Sequence, residues 1–355
     1  MKRRLTRRVM VGDIPIGGGA PVVVQSMTNT ETSDVEATVA QINSLALAGA
    51  EIVRVSVPTV EGSFALREII SRSPVPVVAD VHFSHRIALA AIRAGVAKLR
   101  INPGNITKPV YIAQIAEAAA GKGIPIRIGV NAGSLPKDLL AKYGRPTAEA
   151  MLEAAERELE LLDRVNFNSI VVSLKSSDAY TTIEANRLFS ARYDYPLHLG
   201  VTEAGVDTEG IIESSVGIGT LLAEGIGDTI RVSLAGDPVR ELPIAYRILS
   251  SLGLRECGPR VVVCPSCARA KIDVESIAKQ ISNIVKGVKK PLRIAVMGCV
   301  VNGPGEAKEA DIGVAGGEKT SAIFQKGKVV LQVRNENLLS VLKSEIKKLI
   351  DEADA

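Results

Sequence analysis

The chain has 355 residues, 46% of them hydrophobic and 23% charged, with Lys+Arg 43 against Asp+Glu 39. These values suit two globular domains with ample core and exclude disordered, collagen-like and disulfide-scaffold classes. A formal charge of +4 is too slight to argue for nucleic acid, so any preference for anions must come from where the cations sit.

The basic N-terminus, MKRRLTRRVMVGDIPIGGG, has no apolar stretch behind it and does not read as a secretory signal. No segment approaches the ~20 apolar residues that span a bilayer. The four cysteines all follow residue 256, a clustering that suggests metal chemistry rather than a disulfide framework. The expectation is a cytoplasmic protein with no membrane and no nucleic-acid partner.

Short β-branched runs recur in chain order at 21–27, 51–57, 76–81, 98–102, 124–130, 169–175, 196–201 and 228–234. Ala/Leu/Glu-rich segments with helical spacing separate them, among them SDVEATVAQINSLALAG, SHRIALAAIRAG and TAEAMLEAAERELELL. Ser33 and Glu36 stand at capping-box spacing before the first helix, and Gly49, Gly95, Gly225 and Gly253 read as helix ends. Near-continuously apolar strands alternating with helices predict a parallel sheet covered by helices. Eight units over roughly 250 residues match a TIM (β/α)8 barrel in the α/β class. An open doubly wound sheet is the runner-up, but no GxGxxG follows the first strand. The run Gly17–Gly19 reads as the turn of an N-terminal hairpin.

After Cys257 the texture changes to short strands (RVVVCPSC, LRIAVMGCVVNG, ADIGVAGG, TSAIFQKG, KVVLQV) with helices near 272–287 and 336–351. This predicts a smaller α+β domain, with the barrel over 1–255 and the second domain over 256–355.

Within the barrel strands, polar residues fall in i, i+2 pairs that share one side of a strand. They are Arg54/Ser56, Asp80/His82, Arg100/Asn102, Ser173/Lys175 and Arg231/Ser233. Arg127 and Asn131 straddle the end of the fifth run, and Glu203 follows the seventh. A single Arg at a strand end is more often salt-bridged than ligand-bound, and His82 and His198 alone read as core histidines. Jointly, Arg54, Arg100, Arg127, Lys175 and Arg231 converge on one barrel mouth, with Asp80 and Glu203 to offset them. Burying so many like charges is unfavourable, and a phosphate or diphosphate group would relieve it.

The cysteines form CPSC (Cys264, Cys267) with Cys299 in MGCVVNGPGEA and Cys257 seven residues before the CxxC. Spacing alone leaves zinc and iron–sulfur open. Cys257 also reads as an inert thiol, and Glu306 is an oxygen-ligand candidate of a kind that is more often simply solvated.

The strings VVVQSMTNTET, EIVRVSVPT, VADVHF, LRINPGN, IRIGVNAGSL, SLKSSD, LGVTEAG, GIGDTIRVSLAGDP, VVVCPSCAR and MGCVVNGPGEA resemble the bacterial 4-hydroxy-3-methylbut-2-enyl diphosphate synthase family of the non-mevalonate isoprenoid pathway. The resemblance runs from about residue 3 to about residue 348, in the short two-domain form. It implies a TIM barrel followed by a sulfite-reductase-like domain with one [4Fe–4S] cluster per chain, held by Cys264, Cys267, Cys299 and Glu306; Cys257 has no counterpart. It further implies an oxidoreductase that converts 2-C-methyl-D-erythritol 2,4-cyclodiphosphate to 4-hydroxy-3-methylbut-2-enyl diphosphate. Two electrons would come from flavodoxin or ferredoxin, in a homodimer whose active site is shared between subunits. Substrate contacts would be Arg54, Asp80, His82, Arg100, Asn102, Arg127, Asn131, Lys175, Arg231 and Ser233, with Glu203 and Glu306 catalytic. Two other readings stay open: a pterin-type transferase, whose barrels also gather Asp, Asn, Lys and Arg at strand ends, and a zinc-stabilised phosphometabolite-binding module.

Overall fold

The computed structural model describes residues 2–351 apart from 83, 102–105, 107, 289, 301–304 and 306–307. Chain contacts divide it into two compact units, Met1–Arg255 and Glu256–Ala355.

The first unit opens with a hairpin, β1 (Val9–Val11) and β2 (Ile14–Ile16), paired Val11 to Ile14. The two-residue turn is Gly12–Asp13, with Gly12 at φ +61°, as such tight hairpins require. The turn expected at Gly17–Gly19 is therefore misplaced. Those glycines follow the hairpin, where a β-carbon on Gly17 would fall 2.3 Å from the Arg7 carbonyl.

Eight parallel strands follow: β3 (Val23–Met27), β4 (Ile52–Ser56), β5 (Val77–Val81), β6 (Lys98–Ile101), β7 (Ile126–Asn131), β8 (Ile170–Lys175), β9 (His198–Leu199) and β10 (Thr229–Ile230). Their order is β8-β7-β6-β5-β4-β3-β10-β9, and a bridge between Val172 and Leu197 closes the ring. This is the expected TIM barrel. Helices α1 (Val35–Leu47), α2 (Val60–Arg72), α3 (His85–Ala94), α4 (Pro109–Ala120), α5 (Lys137–Tyr143), α6 (Ala148–Asp163), α7 (Ala179–Arg192), α8 (Asp207–Ala223) and α9 (Glu241–Ser251) complete it.

Local chemistry sets the helix ends. The cap of α1 is Asp34, whose side chain accepts from the Ala37 amide, not Ser33. Glu36, the expected reciprocal partner, instead pairs with Arg72 of α2, Oε2 to Nη2 at 2.7 Å. Gly95 caps α3 at φ +91°, the left-handed conformation that glycine adopts without a Cβ penalty.

Strand parity sorts the barrel side chains. Outward residues such as Val53, Val55, Ala79, Leu99 and Ile128 join the helices in the main core. Inward residues near the strand starts, Val23, Ile52 and Val78, pack with Val11 and Ile16 of the hairpin into a separate apolar floor. Above that floor the interior turns polar.

The second unit is a five-stranded sheet in the order β11-β12-β13-β14-β15, with β11 (Arg260–Val263), β12 (Arg293–Met297), β13 (Ile312–Ala315), β14 (Thr320–Gln325) and β15 (Lys328–Arg334). The first three are parallel and the rest antiparallel. One face buries Ile294, Val296, Ile312, Val314 and Ile323 against α10 (Val274–Ile284) and α11 (Leu338–Asp351). No helix among the described residues is long and apolar enough to cross a membrane.

Candidate active site

At the C-terminal ends of the barrel strands, where (β/α)8 enzymes build their sites, the inward side chains enclose a cavity of about 240 Å³. Its walls are Met27, Arg54, Asp80, His82, Arg100, Arg127, Asn131, Ser173, Lys175, Thr202, Arg231 and Ser233. Asn102 lies outside the described residues. Glu203 does not line this cavity. It is exposed, sits at φ +54°, and lines an adjoining cavity of about 280 Å³ that shares Asn131 and Thr202 with the first.

Two carboxylates offset the cations. Asp80 takes Arg100 Nη1 at 2.7 Å, Arg54 Nε at 3.4 Å and His82 Nε2 at 3.4 Å. Glu241, at the start of α9, takes Arg231 Nη2 at 3.1 Å and Nε at 3.2 Å, and accepts from the Leu234 amide at 3.2 Å. Glu241, rather than the expected Glu203, is thus the second counter-ion of the cavity. Met27 fills in with a weak sulfur acceptor, its Sδ lying 2.9 Å from Arg54 Nη2 and 3.4 Å from Arg231 Nη1.

Two cations have no such compensation among the described residues. Arg127 is 1% exposed, and its Nε and Nη1 have no hydrogen-bond partner. Lys175 is buried as well. Burial first, and then repulsion, from Arg54 and Arg100 on Arg127 and from Arg127 and Arg54 on Lys175, push both well below their usual ranges, with the more distant Asp80 charge partly restoring Arg127. Arg54 is pushed down to about 10, again mainly by burial, with Asp80 partly restoring it. Burial alone would raise the Asp80 carboxyl, but Arg54, the His82 hydrogen bond and Arg100 hold it well below the usual carboxylate range. Without an anion the cavity carries unbalanced positive charge in a low-dielectric wall, and a diphosphate offers the oxygens that the guanidinium forks lack.

The sequence reading passed over Gln25, Met27, Lys98 and Thr202, which share inward parity with its chosen residues. Glu241 carries no strand signal, because it lies on a helix.

In the second unit, Cys264, Cys267 and Cys299 line one cavity of about 120 Å³ with Pro265, Ser266, Arg269, Met297 and Gly298. The Gly298 amide donates to Cys264 Sγ at 3.1 Å. Among the described residues no three His, Cys, Asp or Glu side chains are gathered closely enough to hold a single metal ion. Glu306 lies outside the described residues. Three thiols on one small cavity, one of them already taking an amide hydrogen, form a donor set that fits a cysteine-held iron–sulfur cluster.

Residues 6–246 match the GcpE TIM-barrel domain, and residues 260–348 match the GcpE protein C-terminal domain. The chain belongs to the GcpE family. Among GcpE-family relatives, a protein of Thermodesulfovibrio yellowstonii named 4-hydroxy-3-methylbut-2-en-1-yl diphosphate synthase (flavodoxin) is 54% identical over 98% of this chain and 100% of its own length. A protein of the same name from Caldanaerobacter subterraneus is 53% identical over 99% of each chain. Among solved structures, a type I 3-dehydroquinate dehydratase from Clostridium difficile covers 70% of this chain and 97% of its own with TM-score 0.50 and 16% identity. That last likeness concerns the fold alone.

Proposed function

We propose that this chain reduces 2-C-methyl-D-erythritol 2,4-cyclodiphosphate to 4-hydroxy-3-methylbut-2-enyl diphosphate with electrons from flavodoxin. One ring C–O bond and one C–OH bond break, a C=C bond forms, and water leaves; two electrons and two protons balance the reaction. The observation that carries the reading is the cation surplus of the barrel cavity, where Arg127 and Lys175 have no carboxylate partner among the described residues, in a chain alike end to end with synthases of that name.

Each residue has a physical task. Arg54, Arg100, Arg127, Lys175 and Arg231 hold the diphosphate and stabilise the charge that develops on its oxygen as the ring opens. Asp80, with His82, keeps Arg54 and Arg100 aimed into the cavity. Asn131 and Ser233 donate to the ligand, as does Asn102 in this proposal. Glu203, beside the shared wall at Asn131 and Thr202, protonates the departing hydroxyl. A [4Fe–4S] cluster held by Cys264, Cys267, Cys299 and Glu306 would supply the electrons and a Lewis-acidic iron.

A homodimer belongs to the same proposal. Arg255, the last residue of the barrel unit, donates to the Val22 carbonyl at 2.9 Å and pairs with Glu51 at 3.1 Å. Both partners lie at strand starts. In the proposed homodimer the cluster domain that meets the barrel cavity comes from a second subunit. The cytoplasm, which keeps such thiols reduced, completes the proposal, and ferredoxin is the alternative donor.

Anaerobic reconstitution with iron and sulfide, followed by a flavodoxin-driven assay on the cyclodiphosphate, tests the reading. Turnover that is lost in Cys264→Ser and slowed at unchanged substrate affinity in Glu203→Gln is expected. Metal analysis that finds zinc without iron or sulfide would instead favour the binding module, and full turnover by Glu203→Gln would remove that residue from proton transfer. Likeness through the cysteine unit gives the pterin-type transferase no support.

A further inference from the structure

Beneath the cation cavity the barrel holds a second polar layer that the proposed reaction does not use. Lys98 is fully buried and is not part of the cavity wall. Its Nζ reaches Gln25 Oε1 at 3.5 Å, and among the described residues no carboxylate meets it. Gln25 Nε2 has no partner among the described residues. His198, equally buried, shares a hydrogen bond between Nδ1 and Thr229 Oγ1, while its Nε2 has none.

A lysine here has an option that an arginine lacks, because an ammonium sheds its proton far more readily than a guanidinium. Among the described residues the charged groups acting on Lys98 are Arg127 from β7 and Arg54 from β4, and His198 of β9, itself acted on by Lys175 of β8, is a further titratable group of the layer. Asp80 of β5 is already engaged by Arg54, Arg100 and His82, and Glu241 by Arg231. Burial and the two arginines hold Lys98 well below its usual range. A polyanion among the arginines above offsets most of that field.

We propose that an anion entering the barrel cavity draws one proton onto Lys98, which then adds positive charge beneath the ligand and fixes the Gln25 amide. The inference rests on the reading of the cavity as a diphosphate site and deepens it. Lys98 acts at one remove, as a positioning residue under Arg127. Binding and protonation are then linked: substrate binds more tightly as protons become available, and Lys98 holds its proton more tightly when substrate is bound.

Calorimetric titration of the oxidised holoenzyme, without reductant, tests this with the cyclodiphosphate itself, whose acidic groups are fully ionised near neutrality. Runs in buffers of contrasting ionisation enthalpy count the protons taken up. Wild type is expected to take up about one more proton than Lys98→Met. The variant should bind more weakly, with a flatter dependence of Kd on pH, and Lys98→Gln offers the same comparison should the Met variant fail to fold. Wild-type binding with no proton uptake overturns the proposal, as does equal uptake in a folded variant. Failure of wild type to bind at all overturns the diphosphate reading, and this inference with it.

Discussion

Gly200 lies against the Lys175 ammonium so closely that a β-carbon on it would fall 2.5 Å from Nζ and 2.6 Å from the Arg231 carbonyl. Gly129 stands in the same relation to Arg100, 2.6 Å from its Nε. Neither glycine has a positive φ; each is small because a neighbouring cation crosses its strand. Gly200→Ala is therefore expected to displace Lys175, weakening diphosphate affinity by roughly tenfold to a hundredfold and costing about 1–3 kcal/mol from overpacking. Substrate KM and a urea midpoint measure the two effects separately. An alanine variant with unchanged KM would show that Lys175 does not need that space.

Arg127 presents the opposite balance. Its guanidinium is buried with two unpartnered nitrogens, so the ligand-free protein carries it at a cost. Arg127→Met should raise stability by about 1–4 kcal/mol while abolishing diphosphate binding. Thermal unfolding with and without ligand reads both; a destabilised variant would mean that the arginine has compensation of another kind.

Asp80 is the shared counter-ion of Arg54 and Arg100. Asp80→Asn leaves buried cations unpaired and should destabilise by about 3–5 kcal/mol near neutral pH. Its folded carboxyl is depressed, so the stabilisation is full above the unfolded value of about 3.9 and is lost as pH falls through the lower folded value. Unfolding curves of wild type and variant taken at successively lower pH should converge only in strong acid. Parallel curves at every pH would remove the ionised carboxylate from the account.

Glu158 on α6 is 6% exposed, and its Oε2 has no partner. Burial pushes it up to about 7. A carboxyl raised in the folded state favours folding while protonated, so stability should fall as pH rises from the unfolded value to about 7. Glu158→Met should remove that slope and gain up to roughly 3 kcal/mol above neutrality. Urea unfolding at stepped pH values checks it; a slope retained in the variant would assign it elsewhere.

Strand parity made most of the cation cavity legible, since an inward arginine must recur two residues from another inward side chain and apolar runs make the exceptions conspicuous. Lys98 obeys the same parity with Arg100, but it stands deeper in its strand, where charge is not expected. Glu241 was hidden because a counter-ion on a helix ten residues past Arg231 leaves no periodic trace. The roles of Gly129 and Gly200 depend on side chains from neighbouring strands, and no single strand records them. Hairpin and cap errors had a common source: Gly12–Asp13 and Asp34 each sat beside a more conspicuous motif, and backbone geometry rather than composition chose between them.

The hairpin residues Val11 and Ile16, wedged under Val23, Ile52 and Val78, make the barrel, among the described residues, a cup floored at the strand starts and entered from the strand C-termini. Traffic through it must then be sequential: spent ligand has to depart before its replacement can enter. The product, which keeps the diphosphate, is accordingly expected to compete with substrate for entry and to set the pace of turnover as it accumulates.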